Sequence, residues 1–316
     1  MNLSVVVPLL NEEASLEELY SRIRKVCTEA GLSYDVWFVD DGSTDNSWEI
    51  IQVLRSQNEH IHGIRFSRNY GKSQALHAAF SRVEGEVVIT MDADLQDFPE
   101  EIPELYRMVT EENYDIVSGW KKKRYDNVMT KNMPSKLFNA AARKVSGVFL
   151  HDFNCGLKAY KKQVVKSIDV YGDMHRYIPV LAANAGFRRI TEKEVQHQAR
   201  LYGASKFGTE RFIRGFLDLI TLWFVSRFGG RPMHFFGAGG TLMFIVGFFS
   251  ALWLGISKLM EMSKGVYGNL IARNPWFYIA LTMMLMGTML FIAGFLGEMI
   301  IRTNREHKNY HIDQII

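Results

Sequence analysis

The sequence predicts an α/β domain with a mostly parallel sheet, followed by an amphipathic helix and two membrane-spanning helices. Two patterns carry that expectation. Short β-branched runs alternate with helical stretches over the first two hundred or so residues, the rhythm of a parallel sheet. From Pro232 onward the pattern changes to two long runs almost free of charge.

Taken in order, Leu3–Val7 reads as the first strand, ended by Pro8, and Asn11-Glu12-Glu13 opens a helix reaching about Ala30. Asn11 and Glu12 suit helix capping, and equally a loop that holds a nucleoside at a strand end. Tyr34–Val39 is the second strand and closes on Asp40-Asp41-Gly42-Ser43-Thr44-Asp45. Asp40 stands at the strand end, where a carboxylate can accept hydrogen bonds from a base or ribose; Asp41 and Asp45 also fit plain turn and cap roles. A helix to about Ser56 and a third strand, Ile61–Phe66, follow. Gly71-Lys72-Ser73 looks like the tail of a phosphate-binding P-loop, but Phe66 stands where that motif needs glycine. No G-x-G-x-x-G follows a strand, which disfavours a dinucleotide fold of that type.

A helix over Gln74–Val83 leads to the stretch around which the chain is organised. Val87–Met91 is a buried strand, and Asp92-Ala93-Asp94 follows where it ends. Ligands of open α/β sheets collect outside the carboxyl ends of strands. Hard divalent cations take oxygen ligands and bridge carboxylates to substrate phosphates. The pair therefore suggests a metal-diphosphate site. Pro99–Glu112 reads as a helix and Asp115–Gly119 as a strand. The run Lys121 to Arg124 fits a solvated face or an anionic partner. Asn132–Val148 is expected helical, and a polar loop, 151–158, brings Asp152 into reach of the site. His175 to Pro179 lies within the 169–185 stretch, and Ile190–Gln196 is a strand. Beyond it Gly203 and Gly208 let a loop close over a ligand, while Arg200, Ser205 and Lys206 can hold phosphate oxygens.

Residues 209–230 place Phe212, Phe216, Ile220 and Trp223 at helical spacing opposite several arginines, a pattern suited to the membrane interface or to packing on the α/β domain. Residues 232–256 and 276–300 form the spans: at about 1.5 Å rise per residue, each crosses a bilayer core of about 30 Å. Arg211, Arg214, Arg227, Arg231, Arg302, Arg305 and Lys308 flank the pair, against Lys258, Lys264 and Arg273 between them. The positive-inside rule then puts both termini in the cytoplasm. The expected organisation is 1–208 α/β domain, 209–231 juxtamembrane helix, 257–275 extracytoplasmic loop and 301–316 cytoplasmic tail.

In 316 residues the formal net charge is only +3, too small to argue for nucleic acid. Cys27 and Cys155 make no disulfide framework and agree with a reducing compartment. No signal peptide is evident, and no internal repeat.

Four motifs in order, Val5–Glu13, Val39–Asp45, Asn69-Tyr70-Gly71-Lys72 and Asp92–Asp97, resemble the family-2 inverting glycosyltransferases of GT-A fold. With Arg200-x-x-Gly203-x-Ser205-Lys206 and the membrane hairpin, the chain looks like the branch that transfers sugar to polyprenyl phosphate. That branch holds bactoprenol glucosyltransferases, dolichol-phosphate mannose synthases and the aminoarabinose transferase of lipid A modification; two C-terminal spans favour the bactoprenol type. The resemblance implies that Pro8, Leu9, Asn11, Glu12 and Asp40 surround the nucleoside, with Gly71 and Lys72 near it and Ala93 at the sugar-nucleotide. It assigns Asp92, Asp94 and Gln96 to Mg²⁺ or Mn²⁺ against the donor diphosphate, and Asp152 to the catalytic base. Arg200, Ser205 and Lys206 would bind phosphates. A basic residue is expected directly after Gly119, but Trp120 intervenes, so the lipid-phosphate role falls to one or another of Lys121 to Arg124, with Lys121 and Arg124 the candidates. The implied reaction moves one sugar from a UDP-sugar, UDP-glucose or a relative, to undecaprenyl phosphate at the bacterial inner membrane, with GDP as the other nucleotide. A flippase partner and a homotetramer are further expectations. The competing readings are a processive polysaccharide synthase and a non-catalytic membrane scaffold that binds nucleotide sugar. The synthase needs Gln-x-x-Arg-Trp, whereas here Gln196 and Arg200 are wrongly spaced and Leu201 follows.

Overall fold

The computed structural model describes residues 1–122, 143, 147–172, 174–198, 224, 228, 231–265, 270–303 and 312–315. These fall into two compact units, Met1–Ser226 with Lys308–Ile316, and Arg227–His307.

The first unit is built on an eight-stranded sheet. Its strands are β1 (Leu3–Leu9), β2 (Tyr34–Asp40), β3 (Ile61–Phe66), β4 (Val87–Thr90), β5 (Ile116–Trp120), β6 (Lys158–Lys161), β7 (Ile190–Glu194) and β8 (Ile312–Ile315), in the order β7-β5-β6-β4-β1-β2-β3-β8. Pairings of β1 with β2 and β4, of β2 with β3 and of β5 with β7 are parallel. β6 runs antiparallel to both β4 and β5, and β8 antiparallel to β3.

All seven residues of β1, and all seven of β2, are buried, as expected of parallel strands covered on both faces. Alternate side chains feed two cores. Val5, Val7, Phe38 and Ile89 join one with Leu19, Ile23 and Ile51. Val6, Val39 and Val88 join the other with Phe66, Leu76 and Phe80. The covering helices are α1 (Leu16–Glu29), α2 (Ser47–Gln57), α3 (Lys72–Phe80), α4 (Ile102–Thr110), α5 (Lys162–Ser167) and α6 (Ile178–Asn184).

Several expected boundaries move. β1 continues through Pro8 to Leu9. The β4 ladder ends at the Val6–Thr90 pair, so Pro8 lies beyond it and its missing N–H interrupts nothing. α1 starts at Leu16 rather than Asn11, because Asn11 adopts a left-handed φ of 56° and residues 11–13 bond instead to the loop after β2. A 3₁₀ turn, Pro99–Glu101, precedes α4. β6 and β8 were not expected. β8 covers the open edge of β3, and the Trp48 indole donates to Gln314 Oε1 at 3.0 Å. Of the helix expected over 132–148, most lies outside the described residues, as does most of 209–230.

The second unit is a helical hairpin, α7 (Pro232–Ser263) and α8 (Pro275–Thr303), both long and apolar enough to cross a membrane. α7 runs past the expected end at 256 to Ser263. Large apolar side chains such as Phe249, Trp253 and Leu285 are exposed, which suits a lipid environment. The helices touch backbone to backbone through glycine. A Cβ at Gly240 would stand 2.5 Å from the Gly287 carbonyl oxygen, and one at Gly287 would stand 2.6 Å from that of Gly240. Gly240→Leu is therefore expected to part the hairpin, at a cost of about 1–3 kcal/mol. Thermal unfolding in detergent checks this by a lowered midpoint, whereas Gly255→Leu, at a position with nothing within 4 Å, should leave the midpoint unchanged.

Candidate active site

The parallel register aligns the ends of β1, β2 and β4 at one edge, Leu9 opposite Asp40 and Val6 opposite Thr90. The loops leaving these strands are tied to one another. Asn11 N donates to Ser43 Oγ at 2.9 Å, and Asn11 Oδ1 accepts from Thr44 N at 2.8 Å. Glu12 N donates to Ser47 Oγ at 3.0 Å, and Glu13 Oε2 accepts from Asn46 N at 2.9 Å. Asn11 and Glu12 thus lock the first loop to the second, whatever else they hold.

Asp40 is fully buried, with Oδ1 accepting from Ser43 N at 2.8 Å and Arg65 Nε 4.0 Å from Oδ2. Burial pushes its pKa up, against the pull of the Ser43 bonds and Arg65. Asp41 clamps the next loop, accepting from Tyr70 N at 2.7 Å and Gly71 N at 2.9 Å. Burial raises its pKa too, opposed by those two bonds. The turn and cap reading of Asp41 and Asp45 agrees with this geometry: Asp45 Oδ1 accepts from Ser47 N at 3.0 Å. Gly42 is needed where the two loops meet: its φ is 76°, and a Cβ there would lie 2.4 Å from the Arg68 carbonyl carbon.

Asp92-Ala93-Asp94 follows β4 at the same edge. The Lys72 ammonium, at the start of α3, sits on Asp92 Oδ1. Asp94 Oδ1 accepts from Gln96 N at 3.2 Å, across a turn in which Leu95 takes a φ of 58°. Gln198 Nε2 donates to the Leu95 carbonyl at 2.5 Å, and Asp97 pairs with His197 as an isolated bridge. Lys121 reaches the fully buried Asp97 at 2.6 Å. Of the basic run, Lys121 is therefore engaged with a carboxylate beside the site, and Lys122 with Glu194 at 3.0 Å.

The loop between β5 and β6 packs directly on Asp92. Thr90 Oγ1 donates to the Gly156 carbonyl at 2.8 Å, and a Cβ at Gly156 would be 2.5 Å from Asp92 Oδ2. Asp152, buried, lies in this loop shortly before β6, its Oδ1 accepting from Asn154 N at 3.0 Å. Lys158 runs beneath it, donating from Nζ to the Phe153 carbonyl at 3.2 Å and to that of Cys155. Sequence reasoning missed Gly156 and Lys158; the isolated glycine and lysine of Cys155-Gly156-Leu157-Lys158 carry no local sign of what they touch. The sequence pattern assigns no role to His175. It is half-buried, with its backbone N donating to Ser73 Oγ at 2.9 Å and Nδ1 3.1 Å from the same oxygen.

Electrostatics follow from this packing. Burial pushes the Asp92 carboxyl up, but the ammonium groups of Lys72, Lys121 and Lys158 outweigh it and hold the pKa down to about 2. Asp92 is therefore ionised at neutral pH. Burial pulls Lys158 down, and pulls His175 well below its usual value, where Lys72, Arg176 and Lys158 add to the effect. Burial raises the Cys155 thiol to about 12, so it stays a thiol.

Asp92 and Asp94 offer hard oxygen donors, and the Asp92 side chain is one-third exposed. That donor set fits Mg²⁺ or Mn²⁺, which bind through one or two carboxylates and complete their shell with water and substrate phosphate. Among the described residues no three His, Cys, Asp or Glu side chains converge into an all-protein cage. Arg124, Arg200, Ser205 and Lys206 lie outside the described residues.

This sheet, with its crevice at the ends of the parallel strands and antiparallel β6 beside it, is the GT-A type. A solved glucosyl-3-phosphoglycerate synthase from Mycobacterium tuberculosis superposes with a TM-score of 0.55 over 71% of this chain and 79% of that chain, at 18% identity, and so shares the fold. Residues 4–169 match the family described as glycosyl transferase family 2. The chain is 32% identical over 320 residues to a dodecaprenyl-phosphate galacturonate synthase of Rhizobium johnstonii, covering 100% of this chain and 93% of that protein. It is 35% identical over 297 residues to an undecaprenyl-phosphate 4-deoxy-4-formamido-L-arabinose transferase of Pseudomonas aeruginosa, covering 93% and 84%. The chain belongs to glycosyl transferase family 2 and is a glycosyltransferase.

Gly156→Ala should drive a methyl group into the Asp92 carboxylate, lowering turnover by about 100-fold while the fold survives; activity and circular dichroism measured together check both halves. The depressed His175 pKa has a defined sign. The unfolded state takes up a proton near pH 6.5 and the folded state does not, so stability is full above that pH and falls below it, by at most about 1.4 kcal/mol per pH unit. Thermal unfolding between about pH 7 and about pH 5 should fall less steeply in His175→Gln than in the wild type.

Proposed function

We propose that the protein transfers a single sugar from a nucleotide-sugar to a polyprenyl phosphate, undecaprenyl phosphate in a bacterium, with inversion at the anomeric carbon. UDP-glucose or a related UDP-sugar is the donor this reading favours. The observation that carries it is the Asp92-Ala93-Asp94 pair at the end of β4, with the Lys72 ammonium in contact with Asp92. Two helices able to cross a membrane support a lipid acceptor, as do the polyprenyl-phosphate transferase names of the relatives. On this reading both termini and the α/β unit lie in the cytoplasm at the inner membrane, a topology supported by the basic flanks of those helices.

The chemistry is one in-line displacement. An oxygen of the acceptor phosphate bonds to the anomeric carbon, the bond from that carbon to the donor diphosphate breaks, and its electron pair leaves with the nucleoside diphosphate. Held by Asp92, Asp94 and Gln96, Mg²⁺ or Mn²⁺ would supply Lewis acidity that neutralises the charge on the diphosphate. Pro8, Leu9, Asn11, Glu12, Asp40 and Gly71 shape the nucleoside end of the crevice. Arg124, Arg200, Ser205 and Lys206 are assigned to phosphates, with Lys121 acting at short range through its pair with Asp97. A phosphate monoester is already largely dianionic at pH 7. Asp152, the carboxylate matched to the base, therefore has little proton to remove.

The test is a donor screen with purified protein, undecaprenyl phosphate and Mg²⁺ or Mn²⁺, read by mass spectrometry. One lipid-phosphate monosaccharide is expected, lost with chelator. Asp94→Ala should lower turnover by about 100-fold or more, and Asp152→Ala by only about tenfold. Near-wild-type turnover in Asp94→Ala would refute the metal assignment. No lipid product from any donor, with nucleotide-sugar still bound, would refute the acceptor.

A further inference from the structure

Three lysines stand around Asp92, and they are held differently. Lys121 is pinned to Asp97 at 2.6 Å with its side chain only 10% exposed. Lys158 is buried and donates to the carbonyls of Phe153 and Cys155. Lys72 contacts Asp92 itself, and both partners are about one-third exposed, 31% and 34%. Its backbone is firm: Asp41 clamps Tyr70 and Gly71 just before it, and Lys72 opens α3. A fixed base with a long, one-third exposed side chain can swing its ammonium without moving the loop.

On the metal reading, a divalent cation held by Asp92 would compete with Lys72 for the same carboxylate. An ammonium and a dication cannot share one carboxylate oxygen at contact distance without strong repulsion. We infer that Lys72 is an exchangeable occupant of the metal seat: it neutralises Asp92 until the donor arrives, then gives up Asp92 and takes the donor's diphosphate. The inference rests on the metal-diphosphate reading above. Lys72 thus makes cation and nucleotide binding interdependent, since each moves it out of the other's way. By linkage, UDP must raise the affinity for the cation by the same factor as the cation raises the affinity for UDP.

The readout is Mn²⁺ binding by electron paramagnetic resonance, with and without UDP, in the wild type, Lys72→Met and Lys72→Arg. Lys72→Met should bind Mn²⁺ alone about tenfold more tightly than the wild type, an unusual gain from deleting a site residue. The enhancement of Mn²⁺ binding by UDP should fall about tenfold in that variant. Lys72→Arg, which keeps the charge, should restore the weak Mn²⁺ binding of the wild type, and a shared unfolding midpoint will show that all three are folded. Equal or weaker Mn²⁺ binding in folded Lys72→Met would overturn the inference while leaving the metal reading intact. Absence of Mn²⁺ binding from every protein, with or without UDP, would overturn both.

Discussion

An ionised carboxylate at the end of a short central strand is the constraint on which the rest of this structure depends. Burial alone would push the Asp92 pKa upward; the site works against that with ammonium groups placed on several sides. Each comes from a different part of the chain: Lys72 from the start of α3, Lys121 from the end of β5, Lys158 from β6. Two of them are committed elsewhere, to Asp97 and to peptide carbonyls, so they contribute field rather than contact. Such a carboxylate is anionic at any physiological pH and ready to act on a ligand that carries its own charge.

The sheet supplies the geometry. Parallel register brings the loops after β1, β2, β3 and β4 to one edge, and hydrogen bonds between those loops hold them as a single rim. Close approach then becomes possible only where side chains are missing. Gly42 lets the loop after β2 meet the backbone of Arg68, and Gly156 lets the Asp152 loop lie against Asp92. Asp152 and Asp92 therefore sit in one packed assembly, so a shift in either loop is felt by both.

Much of this was legible in the sequence. β1 to β5 and the two long helices follow from hydrophobic runs whose length and period are unambiguous, and Asp92-Ala93-Asp94 stands at a strand end as expected. What escaped were features set by distant partners. Asn11 to Glu13 look like a helix start, but their bonds go to Ser43, Ser47 and Asn46, more than thirty residues away, and the helix waits until Leu16. β6 is only four residues, two of them lysines, and becomes a strand because it fits between β4 and β5. β8 falls within the expected cytoplasmic tail and becomes a strand where it meets the open edge of β3. Lys158 looks like a surface cation and is buried. A linear pattern cannot report a partner that lies elsewhere in the chain.

The central claim is that Asp92 and Asp94 hold a divalent cation against the diphosphate of a nucleotide donor. Crystals of the protein grown with Mn²⁺ and UDP, measured at the manganese absorption edge, test it most directly. The account predicts one anomalous peak, in contact with oxygens of Asp92, Asp94 and both phosphates, with the Lys72 ammonium moved from Asp92 to the diphosphate. UDP bound in the crevice with no manganese peak, or with the peak away from these carboxylates, would contradict it.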